Sequence, residues 1–260
     1  MTGSVVRTVR DAALWVTLDR PDALNSIDET VLGGLERAFD EAETDDAIRS
    51  VVIAANGRAF CAGADLTHVL SVSSGSDALH AFLERTGVVF DRIEAFPKPV
   101  IAAVHGMALA GGLELVLVCD LVVAARSAQF GDAHANYGLL PGAGGSVRLP
   151  RRVGRARAKA LMFTGRPVPA AELAHTDLVT HLVDDAELEP TVSALTARIA
   201  ETSPLGLRRM KRLVDDGLGM PVREALRAEL DLVGEHTTSA DFAEGLAAFQ
   251  SRRRPLFTGR

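Results

Sequence analysis

Two glycine-bearing segments follow strongly apolar runs. Phe60-Cys-Ala-Gly-Ala-Asp-Leu66 comes after residues 51–54, and His105-Gly-Met-Ala-Leu-Ala-Gly-Gly-Leu-Glu114 comes after residues 100–104. Apolar runs of this kind read as buried strands, so each segment opens backbone at a strand end, where small residues let a ligand approach peptide N–H groups. Gly111 falls where a helix begins. Its N–H therefore lacks an intrahelical acceptor, and the positive end of the helix dipole favours negative charge beside it. Two such donors can form an oxyanion hole. Glu114 lies one helical turn further on, within reach of a ligand whose carbonyl oxygen the Gly111 N–H binds. An acid between Leu113 and Leu115 is costly to bury unless it is paired, protonated or used, which leaves two readings: a structural ion pair, or an acid/base group. Cys61 reads as a small apolar filler, because a nucleophilic thiol needs an adjacent base that the sequence does not reveal.

The elements that must hold these residues follow from periodicity. Residues 5–9 and 14–18 are β-rich runs around Asp11-Ala12, which predicts an opening hairpin, followed by a turn at Arg20-Pro21-Asp22. Ser26 and Glu29 have the form of a capping box, and Val31, Leu32, Leu35, Phe39 and Ala42 fall on one helical face. Residues 51–54, 100–104 and 121–125 read as buried strands, with a turn at Asn56-Gly57, a helix over residues 79–93 stopped before Pro97, and a short apolar helix from about Gly111. Alternating strands and helices imply parallel pairing through crossovers. The polar stretch Ser71-Val-Ser-Ser-Gly-Ser76 has the composition of a mobile loop that can act as a lid. From Pro190 onward only helices are expected, over residues 191–201, 205–218, 222–235 and 240–249, the last with Ser239 as N-cap. Their apolar faces need a neighbour, either the core or another subunit.

Composition narrows the function classes. The chain has 260 residues, 47% hydrophobic, 24% charged and 5% aromatic, which excludes wholesale disorder and collagen-like repeats and predicts a core mostly of Ala, Val and Leu. A formal charge of −6 argues against generic binding to nucleic acid. Three basic clusters, at residues 148–159, 208–212 and 252–254, read mainly as solvated helix faces. Two cysteines, Cys61 and Cys119, make no disulfide framework and have no metal partner at ligand spacing, so a reduced, cytoplasmic setting is expected. The N-terminal stretch lacks the pattern of a signal peptide. The most apolar stretch, residues 99–119, contains His105, Glu114 and three glycines, which favours buried core over a membrane span.

Five segments together resemble the enoyl-CoA hydratase/isomerase (crotonase) superfamily: Arg20-Pro-Asp-Ala-Leu-Asn25, Ala62-Gly-Ala-Asp-Leu66, the run from His105 to Glu114, Pro141-Gly-Ala-Gly-Gly145 and Arg253-Arg-Pro-Leu-Phe-Thr-Gly259. They stand in family order from about Val5 to the C-terminus. The resemblance implies an α/β fold, a crotonase-like spiral of ββα units over residues 1–195, and a C-terminal helical region over residues 196–260 that makes a homotrimer, often a dimer of trimers. It also implies an acyl-CoA thioester as substrate, coenzyme A being part of it, with no other cofactor, no metal, no membrane and no nucleic acid. RNA binding, known in an occasional member, is opposed by the overall acidity.

The resemblance places the two oxyanion-hole donors on Ala64 and Gly111 and matches Glu114 to one of two catalytic glutamates. The second glutamate would fall in Phe130-Gly-Asp-Ala-His-Ala-Asn136, and His134 stands there instead. His134, or Asp132 from two residues away, is expected to assist; on one strand the two would share a face and could pair. A wall-lining His134 is the alternative. Substrate-binding positions implied are Ala23, Leu24, Ala62, Asp65, Leu66, Gly138 and Pro141, with Lys211 and Phe257 toward the nucleotide. Asp65 reads as a helix cap, and His68 and His105 as pocket-edge and strand-end residues. The acyl pocket is expected from residues 66–76, 79–83 and 135–140. The expected reaction is hydration of a 2-enoyl-CoA. Isomerisation, decarboxylation or C–C hydrolysis at the same site, and catalytically weak acyl-CoA binding, stand as alternatives.

Overall fold

The apolar runs become the centre of a sheet in the computed structural model, which describes residues 3–72 and 76–260. The chain opens with strands β1 (Val5–Arg10) and β2 (Ala13–Leu18), paired antiparallel with Val5 opposite Leu18. Helix α1 (Glu29–Thr44) follows, burying Val31, Leu32, Leu35, Phe39 and Ala42 as its periodicity predicts. Its cap is Asp28, whose side chain accepts from the Thr30 and Val31 N–H groups, rather than the expected Ser26–Glu29 box.

Three units then repeat one path. Strands β3 (Ser50–Ala55) and β4 (Ala59–Cys61) lead to helices α2 (Leu66–Val72) and α3 (Ser76–Glu94). Strands β5 (Val100–Val104) and β6 (Met107–Leu109) lead to helix α4 (Gly111–Leu117). Strands β7 (Leu121–Ala125) and β8 (Gln129–Gly131) lead, through a 3-10 turn at His134–Tyr137, to helix α5 (Gly145–Val153). Helix α6 (Arg155–Thr164), strand β9 (Val168–Pro169) and strand β10 (His181–Val183) complete this part. The first strand of each unit joins a six-stranded sheet in the order β1-β2-β3-β5-β7-β10; the second joins a four-stranded sheet in the order β4-β6-β8-β9. Within each sheet the three units' strands pair in parallel, which is the spiral of ββα units. The expected loop at Ser71–Ser76 is partly helical, since Ser71 and Val72 end α2 and Ser76 begins α3; residues 73–75 lie outside the described residues.

One face of the large sheet and the small sheet enclose the main core, where Phe39, Phe60, Phe90, Phe96 and Phe130 are fully buried. Each such side chain contributes about 1.5–3 kcal/mol relative to exposure. The other face carries Trp15, Val52, Ile101 and Val123 and is covered by helix α7 (Leu188–Ala200) through Val192 and Ile199. The sequence-based boundary between residues 195 and 196 thus falls inside a helix packed on the sheet. Helices α8 (Pro204–Gly217), α9 (Val222–His236) and α10 (Ala240–Gln250) follow, α10 capped by Ser239 as expected. Helix α9 buries none of its residues and exposes Val222, Leu226, Leu230 and Val233 along one side. No helix among the described residues is long and apolar enough to cross a membrane.

Candidate active site

The two glycine-bearing segments converge where β4 and β6 end. Gly112 packs so tightly on β4 that an added Cβ would stand 2.1 Å from Cys61 O, and a Cβ on Gly111 would lie 3.4 Å from Ala64 N. Gly63 has φ +104, and its neighbours leave a Cβ only 3.2 Å from Gly111 N. Both donors are aimed by their own peptide units. In a trans peptide the C=O and N–H point in opposite directions. Gly63 O accepts from Ile27 N at 2.8 Å, so the Ala64 N–H points away from Ile27; Ala110 O accepts from Glu114 N at 3.0 Å, so the Gly111 N–H points away from α4. Neither N–H donates to another group among the described residues. Ala110, directly before Gly111, holds φ 48 and ψ −119, a conformation that costs a residue with a side chain about 1–3 kcal/mol.

Glu114, 3% exposed, sits under these donors. Its Oε1 accepts from the Ala143 N–H at 2.9 Å and the Gly145 N–H at 2.8 Å, the second being the first amide of α5. The costly buried acid is thus satisfied by main-chain amides rather than by a cation. Burial pushes its carboxyl above the usual carboxylate range, against those amides and the His134 ring, which favour ionisation. Its Oε2 stands 3.9 Å from His134 Nε2, too long for a direct hydrogen bond and short enough for one water oxygen to reach both at about 2.8–3.0 Å.

Behind the ring, His134 Nδ1 lies 3.1 Å from Asp132 Oδ1, a charge-pair distance without the alignment of a hydrogen bond. Burial works against the imidazolium, but the Asp132 and Glu114 carboxylates outweigh it, so His134 is raised above the ordinary imidazole value. Asp132 and His134 do not share a strand. Strand β8 ends at Gly131, Ala133 turns left-handed with φ 59, and His134 opens the 3-10 turn; the two side chains meet because this bend folds them together.

Around this cluster, Leu24 O accepts from Ala62 N at 3.0 Å, which ties the Ala23–Leu24 turn to the donor loop. Asp65 caps α2 by accepting from the Thr67 and His68 N–H groups and pairs with Arg20. Leu66 is exposed at the start of α2, Gly138 ends the 3-10 turn, and Pro141 packs beside Gly145. His105 Nε2 meets Gly57 O at a strand end, as expected, and His68 stacks edge-on against Phe82. Buried Cys61 has its thiol pushed up to about 12, consistent with a filler.

The two residues expected toward the nucleotide, Lys211 and Phe257, lie outside this cluster. Lys211 Nζ lies 2.9 Å from the Asp120 carboxylate, at the far end of α4 from Gly111, an ion pair that ties α8 to the start of β7. Phe257 is half-buried in a cavity of about 360 Å³ with Leu207, Met210, Phe242 and Leu246. Nor is Arg148 a solvated charge, since it pairs with Asp91 and Glu94. Sequence reasoning passed over Asn25, buried and bonded to Arg20 N, Asn56 O and Ala59 O, which fixes the turn beside the donor loop. It singled out residues 141–145 but missed the role of the Ala143 and Gly145 amides, although a glycine pair at a helix start is a usable sign of free amides.

A profile of the family described as Enoyl-CoA hydratase/isomerase matches residues 9–260. A Bacillus subtilis (strain 168) protein named "Probable enoyl-CoA hydratase" is 38% identical over 245 residues, covering 94% of both chains. The crystal structure of an enoyl-CoA hydratase from Bacillus anthracis superposes with a TM-score of 0.94 at 30% identity, over 99% of this chain and 100% of that one. That of an enoyl-CoA hydratase from Mycobacterium smegmatis gives 0.91 at 31% identity, over 98% of each.

Proposed function

The chain belongs to the enoyl-CoA hydratase/isomerase family, and from that premise we propose that it adds water across the double bond of a 2-enoyl-CoA thioester. The observation that carries this reading is the pairing of two unengaged amides, Ala64 N–H and Gly111 N–H, with two proton-handling groups held 3.9 Å apart, Glu114 Oε2 and His134 Nε2. Glu114 takes a proton from water as the water oxygen bonds to Cβ. The electron pair of the Cα=Cβ bond shifts between Cα and the carbonyl carbon as the carbonyl π pair moves onto the thioester oxygen, where the two amides hold the enolate, and the His134 imidazolium delivers a proton to Cα. Asp132 keeps that imidazole protonated. Proton exchange between Glu114 and His134 through water restores the starting forms. Each amide donor is worth about 3–4 kcal/mol to such a transition state, and each proton-transfer group about 10²–10⁴ in rate.

We also propose that the exposed stripe of α9 is covered by further copies of this chain, in a homotrimer or a dimer of trimers. Crotonyl-CoA and longer enoyl-CoAs, followed by loss of the conjugated enoyl absorbance, test the reaction. The wild type hydrates at least one of them, and Glu114→Gln loses about 10²–10⁴ in kcat while its oligomer persists. Wild-type protein that binds acyl-CoA but turns over none would leave only a binding role.

A further inference from the structure

Arg20 lies outside the reacting groups, yet its guanidinium joins the segments that aim the Ala64 amide. Nη1 donates to Ser26 O at 2.6 Å and stands 3.1 Å from Asp28 Oδ2, while Nη2 donates to Asp65 Oδ2 at 3.0 Å. Each aspartate uses its other oxygen as a helix cap. Asp28 Oδ1 accepts from Thr30 N and Val31 N to start α1, and Asp65 Oδ1 accepts from Thr67 N and His68 N to start α2. One cation therefore binds two capping carboxylates that are already fixed on separate helices. The ion pairs constrain both, and Asp65 also accepts a hydrogen bond from Arg20: its carboxyl is held below the usual carboxylate range, against its partial burial, by Arg20 and the two amides.

Between these aspartates lies the bridge that orients the donor. Ile27 N donates to Gly63 O and Asp65 N donates to Ile27 O, both at 2.8 Å. Ile27 is flanked by Ser26 and Asp28, and Ala64 by Asp65, so three of the four residues beside this bridge's contacts are held by the same guanidinium. Because the Gly63 carbonyl and the Ala64 N–H share one rigid plane, rotation of that carbonyl rotates the donor equally.

We propose that Arg20 is a positioning residue for catalysis, setting the direction of the Ala64 N–H toward the thioester oxygen. This rests on the hydratase reading above. The guanidinium's two Nη atoms reach Ser26 O and Asp28 on one side and Asp65 on the other; a lysine ammonium is a single point charge and cannot hold the same fork.

The test uses Arg20→Lys, Arg20→Ala and Asp65→Asn in the full chain, with enoyl-CoA turnover and the absorption of a bound push–pull arylenoyl-CoA, whose band moves to the red as its carbonyl accepts hydrogen bonds. Asparagine can still cap α2, so Asp65→Asn weakens the ion pair alone. Expected is a fall in kcat of about 10–100-fold for Arg20→Lys, with KM within about threefold and a smaller red shift; Asp65→Asn follows in the same direction. Arg92→Ala is the control. Arg92 also joins two carboxylates, Asp40 and Glu43, away from the site, and its loss leaves the red shift unchanged. If Arg20→Ala does not fold, Arg20→Lys and Asp65→Asn decide. Wild-type kcat and red shift in those two variants overturn the proposal while the hydratase reading stands; wild-type protein with neither turnover nor red shift overturns both.

Discussion

The two sides of this site are built from different materials. The donor side is main chain: the Ala64 and Gly111 amides are fixed by a bridge to Ile27, a capped helix start and a contact in which a glycine lies against Cys61 O. The proton side is side chain. Glu114 hangs on two amides of the α5 entrance, and His134 is held by charge beside Asp132 without an aligned hydrogen bond. A donor made of backbone is indifferent to its own side chain and sensitive to packing, whereas acid/base groups tolerate small shifts and depend on protonation.

The sharpest way to break the comparison is one methyl group on each side. Gly112→Ala drives a Cβ into Cys61 backbone, so α4 must leave β4; melting experiments should show a loss of about 1–3 kcal/mol or more together with most of the activity. Gly142→Ala meets only the flexible end of Leu83, at 2.9 Å, and should leave both readings close to wild type.

His134→Gln should cost about 10²–10⁴-fold in kcat and reshape the pH profile. Activity needs Glu114 ionised and His134 protonated, so the wild-type rate rises through a pKa above the usual carboxylate range and falls through one above the usual imidazole value. The two limbs belong to the coupled pair. Without the imidazolium the alkaline limb disappears. The acid limb moves to higher pH, because His134 no longer favours the Glu114 carboxylate. An unchanged alkaline limb would leave His134 as a wall of the pocket.

The smallest effect is Ala110→Gly. It relieves the positive φ at Ala110, so thermal stability changes by no more than about 1 kcal/mol, while freedom at the Gly111 donor lowers kcat a few-fold. Equal kcat would mean that neighbouring contacts, rather than this strained residue, aim the amide.

Much of this architecture was legible because burial on both faces writes continuous apolar runs, as in β3, β5 and β7. The partner strands β4, β6 and β8 have three residues each, too few for a period, and hide inside the glycine-bearing segments. The three units share a path without sharing residues, so no sequence repeat announces them. Ser26 looked like a cap, but its carbonyl serves Arg20 and Ile27 is taken by the bridge, which moves the helix start to Asp28. Gly111 and Glu114 could be placed from short-range order, and Ala64 from the resemblance. The partners of Glu114 at Ala143 and Gly145, and that of Lys211 at Asp120, are distant along the chain and are chosen only by the fold.

The two cysteines bracket α4, Cys61 beneath its first turn and Cys119 just beyond its end, and both are sealed from solvent. With the Cys61 thiol raised to about 12, an alkylating reagent meets a reactive thiolate only when that end of the helix detaches. The molecule thus carries a pair of native stopwatches, one timing the breathing of the catalytic end and the other the quiet end, with no label to be engineered.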